Sequence, residues 1–142
     1  MTDSETSPMI PDLQSSLICD DVRQERNGKF ILIGLFDAIG VPKYPAQFQR
    51  LCMVNRWCCG VGEFTQQTRL LKPDGHTVLI EGKPVPVKLP QDDSNATCIE
   101  IFMNVKLEVP GTYWVEILLD GRLILRYPLK AAQIKLPPQP QA

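Results

Sequence analysis

No window of helical length in this chain carries a helical stripe, because thirteen prolines and nine glycines cut it into short segments. What repeats instead is a period of two. In TCIEIFMNVKLEV the odd positions read Ile99, Ile101, Met103, Val105, Leu107 and Val109, and the even ones include Glu100, Asn104, Lys106 and Glu108. Successive side chains on a strand point to opposite faces, so the odd face of this segment is expected to be buried and the even face wet. A chain built only of such segments must fold as layered or closed β-structure.

Turn residues suggest how the strands pair. Asn27-Gly28 between apolar runs predicts a two-residue type I′ hairpin. Arg26 then faces Lys29, Val22 faces Ile33 and Asp20 faces Leu35. Asp20 and Asp21 fall on opposite faces, which excludes them as a side-by-side chelating pair. Asp20 shares parity with Ile18 and Val22. If that face is buried, Asp20 needs a hydrogen-bond partner, and the lack of one would mean a register shifted by one residue. In RLLKPDGHTVLI, a Pro73-Asp74-Gly75 loop would pair Leu70 with Val78 and Thr68 with Ile80.

GTYWVEILLDGRLILRYPL is a third hairpin. A two-residue Asp120-Gly121 loop would set odd positions against even ones, although both strands carry apolar residues on odd positions. A three-residue loop pairs Ile117 with Leu123 and Val115 with Leu125, and it requires a bulge at Gly121. Trp114 then faces Arg126 at cation–π distance. FQRLCMVNRWCC is apolar on both parities, as a central or bulged strand would be. The alternating prolines of KPVPVKLP restrict it to an edge strand or a connection. Together these segments predict an all-β fold, an antiparallel β-sandwich of about eight strands, with a closed β-barrel as the alternative.

Residues 1–13 are polar and proline-containing and read as a flexible N-terminal arm. Residues 14–136 form one β-sandwich domain, and 137–142 are a Pro/Gln tail. The N-terminus has neither a basic segment nor an apolar one, so no signal peptide is expected. With no apolar run long enough to span a bilayer, the expected location is cytoplasmic and no membrane partner is expected. The net charge of −1 provides no basic surface for phosphates, so nucleic acid is not an expected partner either.

No constellation of residues points to catalysis. The five cysteines include no C-x-x-C pair, and His76 is the sole histidine, so the thiols read as small buried hydrophobes rather than zinc ligands. No G-x-S-x-G elbow is present, and Gly60-Val61-Gly62 lacks the G-K-[ST] and the helix of a phosphate loop. It reads as a bend between strands. Loop acids Asp37, Asp74, Asp92, Asp93 and Asp120 allow an alternative in which one end of the sandwich binds a calcium-type ion or a small ligand. Turn chemistry already accounts for Asp74 and Asp120. No cofactor, catalytic residue or metal ligand is therefore expected.

ICDDVRQERNGKFILIGLFDAI, FQRLCMVNRW, LLKPDGHTV and VPGTYWVEILLDGRLI followed by YPL together resemble a bacterial domain family of unknown function. The resemblance covers about 17–130 and implies a compact β-sandwich, immunoglobulin-like or C2-like in general pattern, with no activity to carry over. The sequence reading that follows is a non-enzymatic module that binds a protein partner or self-associates. Its expected surface is an apolar stripe of Phe102, Trp114 and Ile124, flanked by Arg126 and Glu116.

Overall fold

The computed structural model describes residues 9–135, and they form ten strands with no helix. In chain order these are β1 (Asp12–Gln24), β2 (Phe30–Phe36), β3 (Ala38–Val41), β4 (Ala46–Cys58), β5 (Gly62–Leu71), β6 (Val78–Glu81), β7 (Val85–Leu89), β8 (Asn95–Leu107), β9 (Gly111–Leu119) and β10 (Arg122–Gln133). Four build one sheet in the order β2-β1-β4-β8. The rest build a second sheet, β3-β10-β9-β5-β6, in which β7 also pairs with β5. The two sheets face each other as a sandwich, and neither closes into a barrel. Among the described residues no helix is long and apolar enough to cross a membrane.

The core lies between the sheets. Ile18, Leu51, Met53 and Trp57 from the four-stranded sheet meet Phe64, Leu70, Tyr113, Val115, Ile117 and Leu129 from the other. The expected inward face of Tyr113, Val115 and Ile117 is therefore correct. β4 sits between β1 and β8, and Leu51 through Asn55 are buried without interruption. Both faces of this central strand are covered, which explains its apolar residues on both parities. β7 is an edge strand, as its prolines require. Gly60 lies in the bend between β4 and β5, so close to Pro11 that a β-carbon there would come within 2.6 Å of that ring.

At the N-terminus, β1 begins at Asp12 and Met9 forms a bridge with Val61. The last residues of the expected arm are thus paired into the fold. Residues 1–8 and 136–142, which include the rest of that arm and the Pro/Gln tail, lie outside the described residues.

All three hairpins depart from the expected register, each for a local reason. At the first, the Glu25 amide donates to the Lys29 carbonyl and the Gly28 amide to the Glu25 carbonyl, with Gly28 at φ 90. That is a three-residue loop with a glycine bulge in place of type I′. It sets Val22 against Leu32 and Asp21 against Ile33. At the third, Asp120 and Gly121 both have positive φ, and Leu119 pairs with Arg122. The rejected two-residue turn is the one that forms, and a bulge between Leu123 and Leu125 absorbs the parity conflict. At the second, Lys72 bonds Thr77 across the turn and Leu70 pairs with Ile80.

β8 brings a further correction. Val105 and Leu107 are buried as expected, but Ile101 and Met103 are exposed while Cys98 is buried. Asn104 sits at φ 55 in the middle of the strand, which reverses the alternation there. The even face of its first half, Cys98, Glu100 and Phe102, is therefore the inward one.

Candidate functional site

The residues expected to form one apolar stripe are divided between the two sheets. Phe102 is on β8 and half-buried against the core, whereas Trp114, Ile124 and Arg126 are on β9 and β10 in the opposite sheet. Strands adjacent in sequence here cross between layers, so consecutive order did not make them neighbours. Ile124, 38% exposed, occupies the β10 bulge. Arg126 does lie over the Trp114 ring, 4.8 Å from its centroid. It reaches the ring diagonally, because Glu116 is its direct partner across the strands and Pro128 faces Trp114. Glu116 is only 7% exposed and is bound by Arg69 at 3.1 Å and Arg126 at 3.6 Å. The outer face of this sheet thus carries a polar network centred on Glu116, in which Arg69 Nε is left without a partner among the described residues.

The outer face of the four-stranded sheet is different. Cys19, Cys52 and Val54 form a second buried cluster there, covered by Val22, Leu32 and Ile99. Val22 and Leu32 belong to the far half of the β1–β2 hairpin, so the hairpin tip doubles back over the sheet that it extends. Two residues permit this bend. Gly34 has φ 71, and a β-carbon on it would lie 2.2 Å from Asp20 Oδ2. Asp20 is exposed, with its carboxylate stacked over that glycine.

Asp21 fixes the base of the bend. It accepts from Arg50 at 2.8 Å and Arg23 at 3.2 Å. The Arg23 bond first, then the Val22 amide and the Arg50 charge, hold its carboxyl below the usual range. The adjacent acids thus have separate roles. One aspartate clamps strand β1 to β4, and the other lies over the glycine that turns the hairpin.

Beneath the folded-back tip is a cleft of about 530 Å³. Leu17, Leu32, Val54 and Phe30 make its apolar wall, while Ser15, Lys29, Arg56 and Thr97 supply its polar atoms. The free side of the hairpin is β2 itself, hydrogen-bonded only to β1 among the described strands. Its exposed side chains are Phe30 at 39%, Ile31 and Ile33 at 43% each, and Leu35 at 60%. FILIGLF holds no charge and no proline. Edge strands usually carry such residues, because an open row of backbone amides and carbonyls templates pairing with another chain. Residue order placed Phe30 to Phe36 in the first hairpin but did not mark it as a sheet edge. The signal was present as an uninterrupted apolar run between Lys29 and Asp37.

The remaining candidates disperse. Asp74 accepts from its own turn, from the Thr77 hydroxyl and the His76 and Thr77 amides, which lowers its pKa to about 2. Asp120 accepts from the Thr65 amide at 2.8 Å. No three His, Cys, Asp or Glu side chains converge on a metal-sized space among the described residues. Cys19 and Cys52 lie in the outer cluster, Cys98 faces inward, and Cys58 and Cys59 end β4. Burial raises the Cys19 and Cys52 thiols, and it pushes Cys98 to about 11 with help from Glu100. Cys19, Cys52 and Cys98 serve as buried packing groups.

Sequence reasoning also missed an interior network. Trp57 Nε1 donates to Gln66 Oε1 at 2.7 Å, and Gln66 Nε2 donates to Glu100 Oε1 at 3.0 Å. The Thr68 hydroxyl donates to the same oxygen at 2.6 Å. Burial raises the Glu100 carboxyl above its ordinary value despite these two bonds. The parity reversal at Asn104 concealed it, since Glu100 was expected on the wet face.

Fold and surface together define a two-sheet β-sandwich whose β2 edge is apolar and unpaired among the described strands. The chain belongs to the family of unknown function DUF6941, which matches residues 14–132. The earlier resemblance to a domain family of unknown function is correct to that extent. No curated protein matches the sequence. Among solved structures, a Pseudomonas fluorescens alkylpurine DNA glycosylase, AlkC, bound to DNA containing an abasic site analog, is similar to 68% of this chain at 9% identity and a TM-score of 0.42. This chain covers 28% of that one, and a likeness at that level carries no functional argument.

Proposed function

We propose that the domain is a non-catalytic protein-binding module that takes up an extended strand along the free edge of β2. The observation that carries this is the exposed, uncharged, proline-free run Phe30–Phe36 at the end of the four-stranded sheet. Strand addition uses main-chain hydrogen bonds for affinity and alternate side chains for specificity, and β2 offers both. Five unpaired cysteines suit a reducing compartment, so the cytoplasm is its proposed location.

Affinity capture by wild type and Ile33→Lys, compared at equal thermal stability, tests the reading. A partner, including a further copy of this chain, that is held by wild type and lost by the variant supports it. Capture indifferent to the substitution contradicts it.

A second reading comes from the cleft under the hairpin. Lys29 and Arg56 border its apolar wall, and neither forms an ion pair among the described residues. An amphipathic acid fits that chemistry. A ligand of the native state must raise the melting temperature, so the absence of any shift with a medium-chain fatty acid would remove this reading.

A further inference from the structure

We infer that the strand received by β2 is β2 of a second copy, paired antiparallel about a two-fold axis through Ile33. The inference rests on the strand-addition reading and names its partner. An isologous contact requires a self-complementary surface, in which residue i meets j and j meets i. The sequence from Lys29 to Asp37 has that property. In the antiparallel register centred on Ile33, Lys29 faces Asp37 of the second copy, and the symmetry repeats the pair at the other end.

Between these two ends the register sets Phe30 opposite Phe36, Ile31 opposite Leu35, and Ile33 opposite itself along the backbone, while the positive φ of Gly34 turns the side chains of Leu35 and Phe36 to the other face. Leu32 meets Gly34, the residue with no side chain. The most exposed apolar residues of the strand, Ile31, Ile33 and Leu35, all lie within the segment this pairing covers. A shift of one residue either way sets Lys29 against Phe36 or Ala38 and Asp37 against Gly28 or Phe30, so neither charge meets its opposite. Lys29 and Asp37 make no ion pair within the chain among the described residues, so both are free to form this one. Cross-strand pairs of opposite charge favour a register, and like charges directly opposite oppose it.

Sedimentation velocity on the full chain provides the test, using Lys29→Asp and Asp37→Lys alone and mixed. Wild type should dimerise. Each single variant places like charges together at both ends and should weaken the dimer by about tenfold or more. Mixed, the two variants restore opposite charges at both ends, so a heterodimer of near wild-type affinity should form. General stickiness of an apolar strand cannot produce that result. Mixed variants that stay as weak as either alone would overturn the register.

Ile33→Lys, at an exposed edge position, separates the two claims. A wild-type monomer that still captures a different protein through an Ile33-sensitive contact would overturn the second copy and leave strand addition standing. A dimer that survives Ile33→Lys would overturn both.

Discussion

The two outer faces of this sandwich carry different chemistry. On the six-stranded sheet, the outward side chains Arg69, Glu116 and Arg126 are knitted together, with Arg126 also stacked on Trp114. Its charged side chains pair chiefly with one another. On the four-stranded sheet the outward side is apolar. A folded-back hairpin covers its middle, while the hairpin's own edge exposes Phe30, Ile31, Ile33 and Leu35. The polar face therefore contributes to folding, and the apolar edge is free to contribute to association. Exposed apolar area is informative when it is contiguous, as it is here, and not when it is scattered.

The comparison can be broken most severely from beneath. Trp57→Ala removes a fully buried indole that serves both sheets and should cost about 3–5 kcal/mol in chemical denaturation. Both faces should be lost in one transition. If circular dichroism and a β2 reporter melt separately, the sheets are not one cooperative unit.

Glu116→Ala tests the polar face. It strands Arg69 and Arg126 beside a nearly buried site, and we expect a loss of about 1–3 kcal/mol, discounted from a fully buried pair because both arginines are partly exposed. Ile33→Ser on the other face should change stability by no more than about 0.5 kcal/mol. A larger effect at Ile33 than at Glu116 would invert the account.

Gly34→Ala places a β-carbon at positive φ against Asp20. The backbone strain alone is about 1–2 kcal/mol. The hairpin should loosen from the sheet, with faster amide exchange at Val22 and Leu32 and unchanged exchange in β9. Equal exchange in both places would mean that the bend does not depend on this glycine.

The smallest effect concerns pH. The Glu100 carboxyl titrates above its ordinary 4.5 because it is buried. A carboxyl raised in this way favours the folded state below that ordinary value, and its contribution is lost as pH rises through the higher folded value. Glu100→Gln keeps an acceptor for Gln66 and Thr68. It should flatten the stability profile from about pH 4.5 upward and slightly stabilise the protein at neutral pH. An unchanged slope would show that Glu100 is not the titrating group.

Strand periodicity, turn positions, the inward face of β9 and the Arg126–Trp114 contact could all be read from residue order. Register could not. Whether a loop closes with two residues or three depends on the φ of single residues such as Gly28 or Asp120, and one residue moves every pairing beyond it. Asn104 hid the interior carboxylate in the same way, by reversing a strand in its middle. The apolar β2 edge was lost for a different reason, because it depends on which strand ends a sheet. β8 and β9, neighbours in sequence, belong to opposite layers, and no local pattern records that. Lys29-FILIGLF-Asp37 was visible throughout, and it gained meaning once β2 was placed at an edge.

Residue-resolved amide hydrogen exchange on the full chain, followed over a range of protein concentrations, tests the central claim most directly. The account predicts slow exchange in β9 at every concentration. The outward-facing amides of Phe30–Phe36 should exchange quickly in dilute solution and become protected as concentration rises. Slow exchange along β2 at every dilution would contradict it, because the edge would then already be covered within a single chain.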